Sequence, residues 1–424
     1  MKSYFELTCE EREEALAALL EKYNEYVTEG LKLDLSRGKP NSSQLDISEG
    51  LLSVDMSAGA VYSEDGTDCR NYGILDGLPE TKRFFADVLG IPAGYITVGG
   101  NSSLQMMYDT LARAMMYGVY GSERPWCHEQ QLKWICVTPG YDRHFRITEL
   151  MGFKLLSVPM TESGPDMDAV EELVKDPAVK GIWCVPKYSN PTGNTYTEET
   201  VRRLCSMKCA APDFRIMWDN AYAVHDFDEC GDVLPDIFKI ASEYGNEDRV
   251  FYYSSTSKIT FPGGGVAIMA SSDNNRRQIA PYLGAQTIGY DKINQLRHLK
   301  FFETAENLKA HMLKLGAAIG RKFEVTLEEL KSLDGLGIAS WTKPRGGYFV
   351  SLDVLPGTAK RVYTLMKNAG VTLTSVGATY PYGIDPEDKN LRIAPTYPTD
   401  SDLELALKVL TVSVKIAALE KLLA

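Results

Sequence analysis

Residues 215–222 read Arg-Ile-Met-Trp-Asp-Asn-Ala-Tyr. The apolar run at its start is too short for a helix and reads as a buried strand, and it leads directly into a carboxylate, a carboxamide and a phenol. Outward from it the same pattern recurs at Tyr95–Val98, Trp134–Val137, Lys154–Val158, Gly181–Val185, Val250–Tyr253 and Val266–Met269, each run ending in turn or polar residues. Helix-length segments separate many of these runs. Strands that alternate with helices predict an α/β fold built on a mainly parallel seven-stranded sheet covered by helices on both faces.

The texture changes after about residue 300. Helical sequence continues through Lys322, then Ile338–Thr342 and Tyr348–Leu352 read as strands, Thr358–Ala369 as a helix, and Val371 as part of another strand. Ser401 and Glu404 form a capping pair ahead of Leu403, Leu407, Leu410, Val414 and Ala417 at helical spacing, predicting a closing helix. Near the start, Thr8 and Glu11 make a T-x-x-E capping box before a helix that stops at Gly30. The expected organisation is a large α/β domain over residues 51–300, a smaller α+β domain over 301–424, and an amino-terminal segment, 1–50, packed with the smaller one.

The chain has 424 residues, 44% hydrophobic and 24% charged, which suits a folded globular protein and excludes collagen-like or disordered character. Its 45 Lys and Arg against 57 Asp and Glu give a net charge of −12, so no broad basic footprint for nucleic acid or anionic lipid is expected. The acidic amino terminus and the absence of a long apolar run predict a cytoplasmic protein with no membrane partner. Eight cysteines are too sparse for a disulfide framework. The pair Cys205 and Cys209 lacks the second ligand pair that a zinc site needs, and no metal is expected.

In open α/β sheets, ligands sit beyond the carboxyl ends of the strands, so the strand ends carry the chemistry. The first leads to Gly99-Gly100-Asn101-Ser102-Ser103 and a helix, an arrangement whose free N–H groups suit a phosphate. Later ends supply Tyr141, the turn Ser189-Asn190-Pro191-Thr192-Gly193, Asp219 with Tyr222, and Ser254-Ser255-Thr256-Ser257-Lys258. Each alone is more often a turn, a solvated acid or a surface lysine. Together they are the parts that hold a phosphorylated pyridine aldehyde: an amine to form the imine, an acid for the ring nitrogen, and donors around the phosphate.

At these residues the sequence resembles the class I/II aminotransferases, pyridoxal-phosphate enzymes of fold type I, and within them the bacterial aspartate aminotransferase subgroup called type Ic. The resemblance runs from Ser36-Arg37-Gly38-Lys39-Pro40 to Leu391-Arg392-Ile393-Ala394-Pro395, with Asn71-Tyr72-Gly73, Gly100-Asn101-Ser102, Tyr141, SNPTG, DNAY and SxSK in family order. It implies that Lys258 is the Schiff-base lysine and Asp219 the partner of the ring nitrogen of pyridoxal 5'-phosphate. It further implies that Asn190 and Tyr222 bond the ring's phenolic oxygen and that Tyr141 stacks on the ring. Asn101, Ser102, Ser255 and Ser257 would surround the phosphate, with Tyr72 reaching it from a second subunit of a homodimer. Arg392 would clamp the substrate α-carboxylate, with Gly38 and Asn190 beside it.

One departure stands out: many relatives carry an arginine shortly after the lysine, where this chain has Pro262-Gly263-Gly264-Gly265-Val266. A basic residue in Lys292–Arg297 is a candidate replacement. Arg37, Lys39 and Arg297 are candidates for a second substrate carboxylate, whereas His225 and His298 read as structural. The implied activity is amino-group exchange between aspartate and 2-oxoglutarate. The alternatives are transamination of aromatic or aliphatic amino acids, a pyridoxal-phosphate β-lyase, and a ligand-sensing regulator built on an aminotransferase-like body.

Overall fold

A computed structural model describes residues 2–424. All seven expected strands form. They are β1 (Ile96–Val98), β2 (Lys133–Thr138), β3 (Lys154–Thr161), β5 (Val179–Cys184), β6 (Arg215–Asp219), β7 (Val250–Ser255) and β8 (Ala267–Ser271). An eighth, the two-residue β4 (Gly164–Pro165), folds back on β3 through a tight turn and extends the sheet. The order is β1-β8-β7-β6-β5-β2-β3-β4. Strands β3, β2, β5, β6 and β7 are mutually parallel in sequence of pairing, while β8 runs antiparallel to both β7 and β1.

The central strands, β5, β6 and β7, are buried along their whole length because both faces are covered, whereas β3 alternates exposed and buried residues. Alternate residues enter separate cores: Trp134, Cys136, Trp183, Met217 and Phe251 pack on one face, and Ile135, Val137, Ile182, Ile216 and Trp218 on the other. One buried polar cluster pins the sheet. Lys180 donates to Asp213 at 2.9 Å, and the same carboxylate accepts from Trp126 Nε1 at 2.7 Å and Ser122 Oγ at 2.9 Å. Burial alone would raise the Asp213 pKa, but the donors from Lys180, Trp126 and Ser122 win and hold it below the ordinary carboxylate range. This contribution is present above the unfolded carboxyl pKa and is lost as pH falls through the depressed folded value. Asp213→Ala leaves the buried Lys180 ammonium with only the more distant Glu129, at 3.6 Å, and is expected to cost about 3 kcal/mol, measured by urea unfolding at pH 7.

Helix α1 (Cys9–Glu29) starts at the Thr8–Glu11 capping box and ends at Gly30, whose φ of 64° is left-handed. It packs on the closing helix, α4 (Asp400–Leu423), and Tyr23 donates its hydroxyl to the Leu365 carbonyl at 2.8 Å. Leu33–Asp34 pairs in parallel with Val371–Thr372. The carboxyl-terminal part adds an antiparallel sheet of Ala339–Trp341, Val350–Val354 and Asn390–Ile393. The cap of α4 corrects the sequence reading: Thr399, not Ser401, accepts the first-turn N–H, from Asp402. Thr399 is extended at φ −63° and ψ 167°, as a cap must be, whereas Ser401 already lies in the helix.

Candidate active site

The carboxyl ends of β2, β5, β6 and β7 converge on a cavity of about 240 Å³. Lys258, Asp219, Tyr222, Tyr141, Asn190, Ser102, Ser255, Ser257 and Gly38, drawn from segments more than 200 residues apart, all line it. Asp219 is the last residue of β6 and is 3% exposed. Its Oδ2 lies 3.0 Å from His144 Nε2, while its Oδ1 is buried without a partner. A buried carboxylate oxygen left open is costly unless something is meant to meet it.

Lys258 is sunk among protein atoms with its amine facing the cavity. The amine lies 4.8 Å from the Tyr222 ring centroid and 5.6 Å from that of Tyr348. Burial lowers its pKa, and the negative charge of Asp219 opposes part of that shift. Burial also pushes the Tyr222 phenol well above its ordinary value and raises Tyr141 to about 12, so both remain neutral hydroxyl donors. Asn190 Oδ1 faces Arg392 Nη1 at 3.4 Å, which leaves its Nδ2 available to donate elsewhere.

The hydroxyls gather at the start of helix α2 (Ser103–Tyr117), whose N-cap is Ser102. Ser255 Oγ donates to Ser257 Oγ at 3.0 Å, and Ser257 Oγ donates to the Asn101 carbonyl at 3.2 Å. Asn101 turns its amide to the Pro262 carbonyl at 3.1 Å and stands just outside the cavity lining. A Cβ on Gly265 would lie 3.0 Å from Thr256 Oγ1 and 3.4 Å from the Ser257 amide nitrogen, so the glycine keeps the backbone of this cradle open. These residues fit a phosphorylated pyridine: an open buried carboxylate, an amine with no competing partner, and anion donors at a helix N-terminus.

Neither Lys292 nor Arg297, the cations of the Lys292–Arg297 stretch, lines the cavity. Lys292 Nζ is spent on the Gly73 carbonyl at 2.9 Å, and Arg297 Nη2 on Asn294 Oδ1 at 2.5 Å. Lys258 is the only cationic residue in the cavity lining among the described residues. Arg37 lies 3.6 Å from Asp34, and Lys39 stands over the Tyr397 ring. Tyr72 is 81% exposed and does not meet the cavity of its own chain. His225 and His298 are buried and held neutral by burial, at about 3 and about 4, with bonds to the Lys258 carbonyl and to Thr260 and Asn294.

The sequence reading missed three residues. His144, in the first turn of helix α3 (Asp142–Leu150), stacks on Trp183 at 4.3 Å and reaches Asp219. Its spacing of three from Tyr141 was the available signal. Phe349 lines the cavity; a Cβ on Gly38 would come within 2.1 Å of its ring. Asp142 lies 2.9 Å from Arg392 Nη1, and the Arg392 guanidinium sits 5.0 Å over the Phe349 ring, just behind the lining.

The aspartate amino-transferase family model matches residues 7–424. The chain is 49% identical to an aspartate aminotransferase of Corynebacterium glutamicum, over 94% of this chain and 92% of that one. A crystal structure of an aspartate transaminase from the same species superposes with a TM-score of 0.96 at 47% identity, covering 98% of both chains. An α-aminoadipate aminotransferase of Thermus thermophilus, solved with a phosphopyridoxyl-leucine adduct, shares the fold at a TM-score of 0.73 and 20% identity, over 94% of this chain and 95% of that one. With residues 7–424 matched and its strand ends converging on one lysine and one buried aspartate, the chain belongs to the aspartate amino-transferase family of fold type I enzymes.

Proposed function

We propose that the protein is a homodimeric, pyridoxal-phosphate-dependent aminotransferase that exchanges the amino group of aspartate with 2-oxoglutarate. The observation that carries this reading is Lys258 and Asp219 in one cavity, the amine without a competing hydrogen bond and the carboxylate with an open oxygen.

When bound, the cofactor supplies a carbonyl that amines attack and a ring that withdraws electrons from the substrate α-carbon. Asp219 Oδ1 would hold a proton on the ring nitrogen, and His144 fixes that carboxylate through its other oxygen. Tyr222 and Asn190 Nδ2 would donate to the ring's phenolic oxygen, and Tyr141 would pack against the ring. Lys258, its pKa lowered by burial, keeps more of its amine neutral than a solvated lysine would. It is therefore suited to take the proton from the substrate α-carbon and return it on the other side of the transferred nitrogen. Arg392 binds the α-carboxylate through its planar fork. Ser102, Ser255 and Ser257 hold the phosphate together with the N–H groups of α2.

Tyr72 reaches the phosphate of a second subunit, a reading supported by its exposure and by the docking of Gly73 on Ile288 and Lys292. All eight cysteines are free, which suits a reducing, cytoplasmic setting. Among the described residues no helix is long and apolar enough to cross a membrane.

Adding aspartate alone to the cofactor-loaded protein should change its visible absorption and release oxaloacetate, and 2-oxoglutarate should then restore the spectrum. With an amino acid that carries a thiol or thioether leaving group on its β-carbon, release of that thiol together with pyruvate and ammonia, in place of amino-group exchange, would identify a β-lyase. No spectral response to any amino acid in a donor panel would count against transamination.

A further inference from the structure

The guanidinium of Arg392 is already occupied. An arginine offers five N–H donors, and a carboxylate is bound most firmly when two of them point at its two oxygens. Here Nη1 donates to Asp142 Oδ1 at 2.9 Å and faces Asn190 Oδ1 at 3.4 Å, so both of its hydrogens are engaged. Nε faces Thr374 Oγ1 at 3.4 Å. A carboxylate approaching end-on finds Nη2 open but Nη1 taken. The side chain of Arg392 is only 9% exposed, whereas that of Asp142 is 34% exposed, so the aspartate is the partner free to move.

Asp142 also has somewhere to go. It is the first residue of the nine-residue helix α3, where unpaired N–H groups and the helix dipole favour a negative charge. On leaving Arg392 the carboxylate exchanges a cation for a helix N-terminus and water, and no buried unpaired charge is created.

We propose that Asp142 is an internal stand-in for the substrate carboxylate: it sits on Arg392 between turnovers and is displaced when substrate binds. The inference rests on the reading of Arg392 as the α-carboxylate clamp. Asp142 is thus a positioning residue that sets substrate affinity by competition, and an incoming carboxylate must outbid a tethered one carrying the same charge. If the latch holds Arg392 for roughly nine-tenths of the time, the apparent Kd of a carboxylate ligand is raised about tenfold.

The test uses succinate, a four-carbon dicarboxylate with no amino group to transfer, titrated calorimetrically into cofactor-loaded wild type, Asp142→Asn, Asp142→Ser and Arg392→Lys. Both Asp142 variants should bind succinate about five- to tenfold more tightly, and their KM for aspartate should fall by more than kcat changes. Tightening of this kind is not what structural damage produces. If either folded Asp142 variant binds succinate no better than wild type while Arg392→Lys binds it poorly, the latch is overturned and the clamp stands. If Arg392→Lys binds succinate as wild type does, the clamp reading falls and the latch falls with it.

Discussion

Lys258→Ala is expected to lower the rate of amino-group exchange by about 10³-fold or more, because nucleophile and proton carrier are lost in one substitution. The chain itself should still fold. Among the described residues the Lys258 amine contributes no hydrogen bond to the architecture, and it lies over the rings of Tyr222 and Tyr348. Burial works against its charged form, so the wild-type apoprotein carries a cost that the variant lacks. Oxaloacetate formation and the melting temperature of the apoprotein, measured on the same preparation, separate the two effects. Loss of turnover with an apoprotein Tm near or above that of wild type is the expected pair. A variant that keeps turnover would assign the chemistry to another group.

Asp219→Asn is expected to cost about 10²-fold or more in kcat, the size of effect seen when a preorganised charge facing a reacting group is removed. The substitution is nearly isosteric and leaves an acceptor for His144 at 3.0 Å, so the cavity wall should persist. What changes is charge. An amide cannot favour a proton on a ring nitrogen as a carboxylate does. The same change removes the group that holds the Lys258 pKa up against burial, so the Lys258 amine should lose its proton at lower pH in the variant than in wild type. The kcat of the loaded variant reads the first consequence, and the pH dependence with which an amine-directed reagent modifies Lys258 in the apoprotein reads the second. A variant with wild-type kcat would reduce Asp219 to a structural acid.

The central strands were legible because a sheet buried on both faces leaves apolar residues throughout each run, as in Trp134–Val137 and Ile216–Trp218, while Lys154–Val158, near the sheet edge, keeps exposed Lys154 and Ser157 among its apolar residues. The eighth, Gly164–Pro165, has no such run, since it exists only by its pairing with Met160 and Thr161. The cavity-lining residues were legible where they stood at a strand end, as Asp219 does, because strand ends are where ligands meet such a sheet. His144 and Asp142 escaped for a different reason. Both lie on a helix behind Tyr141, and which side of that helix meets β6 and Arg392 is decided by tertiary packing rather than by the pattern of the helix itself. The basic stretch Lys292–Arg297 was hard to read for the same reason, and neither Lys292 nor Arg297 lines the cavity. Charge was visible in the sequence, but not its direction, and the Gly73 carbonyl claims Lys292.

The account depends on a covalent bond between Lys258 and the cofactor, and borohydride reduction of the loaded protein followed by tryptic mass mapping tests it most directly. Reduction should fix a phosphopyridoxyl group on Lys258. Trypsin should then fail to cleave after it, leaving one modified peptide from Val250 to Arg276. Recovery of unmodified Val250–Lys258, or of the label on any other lysine, would contradict the account.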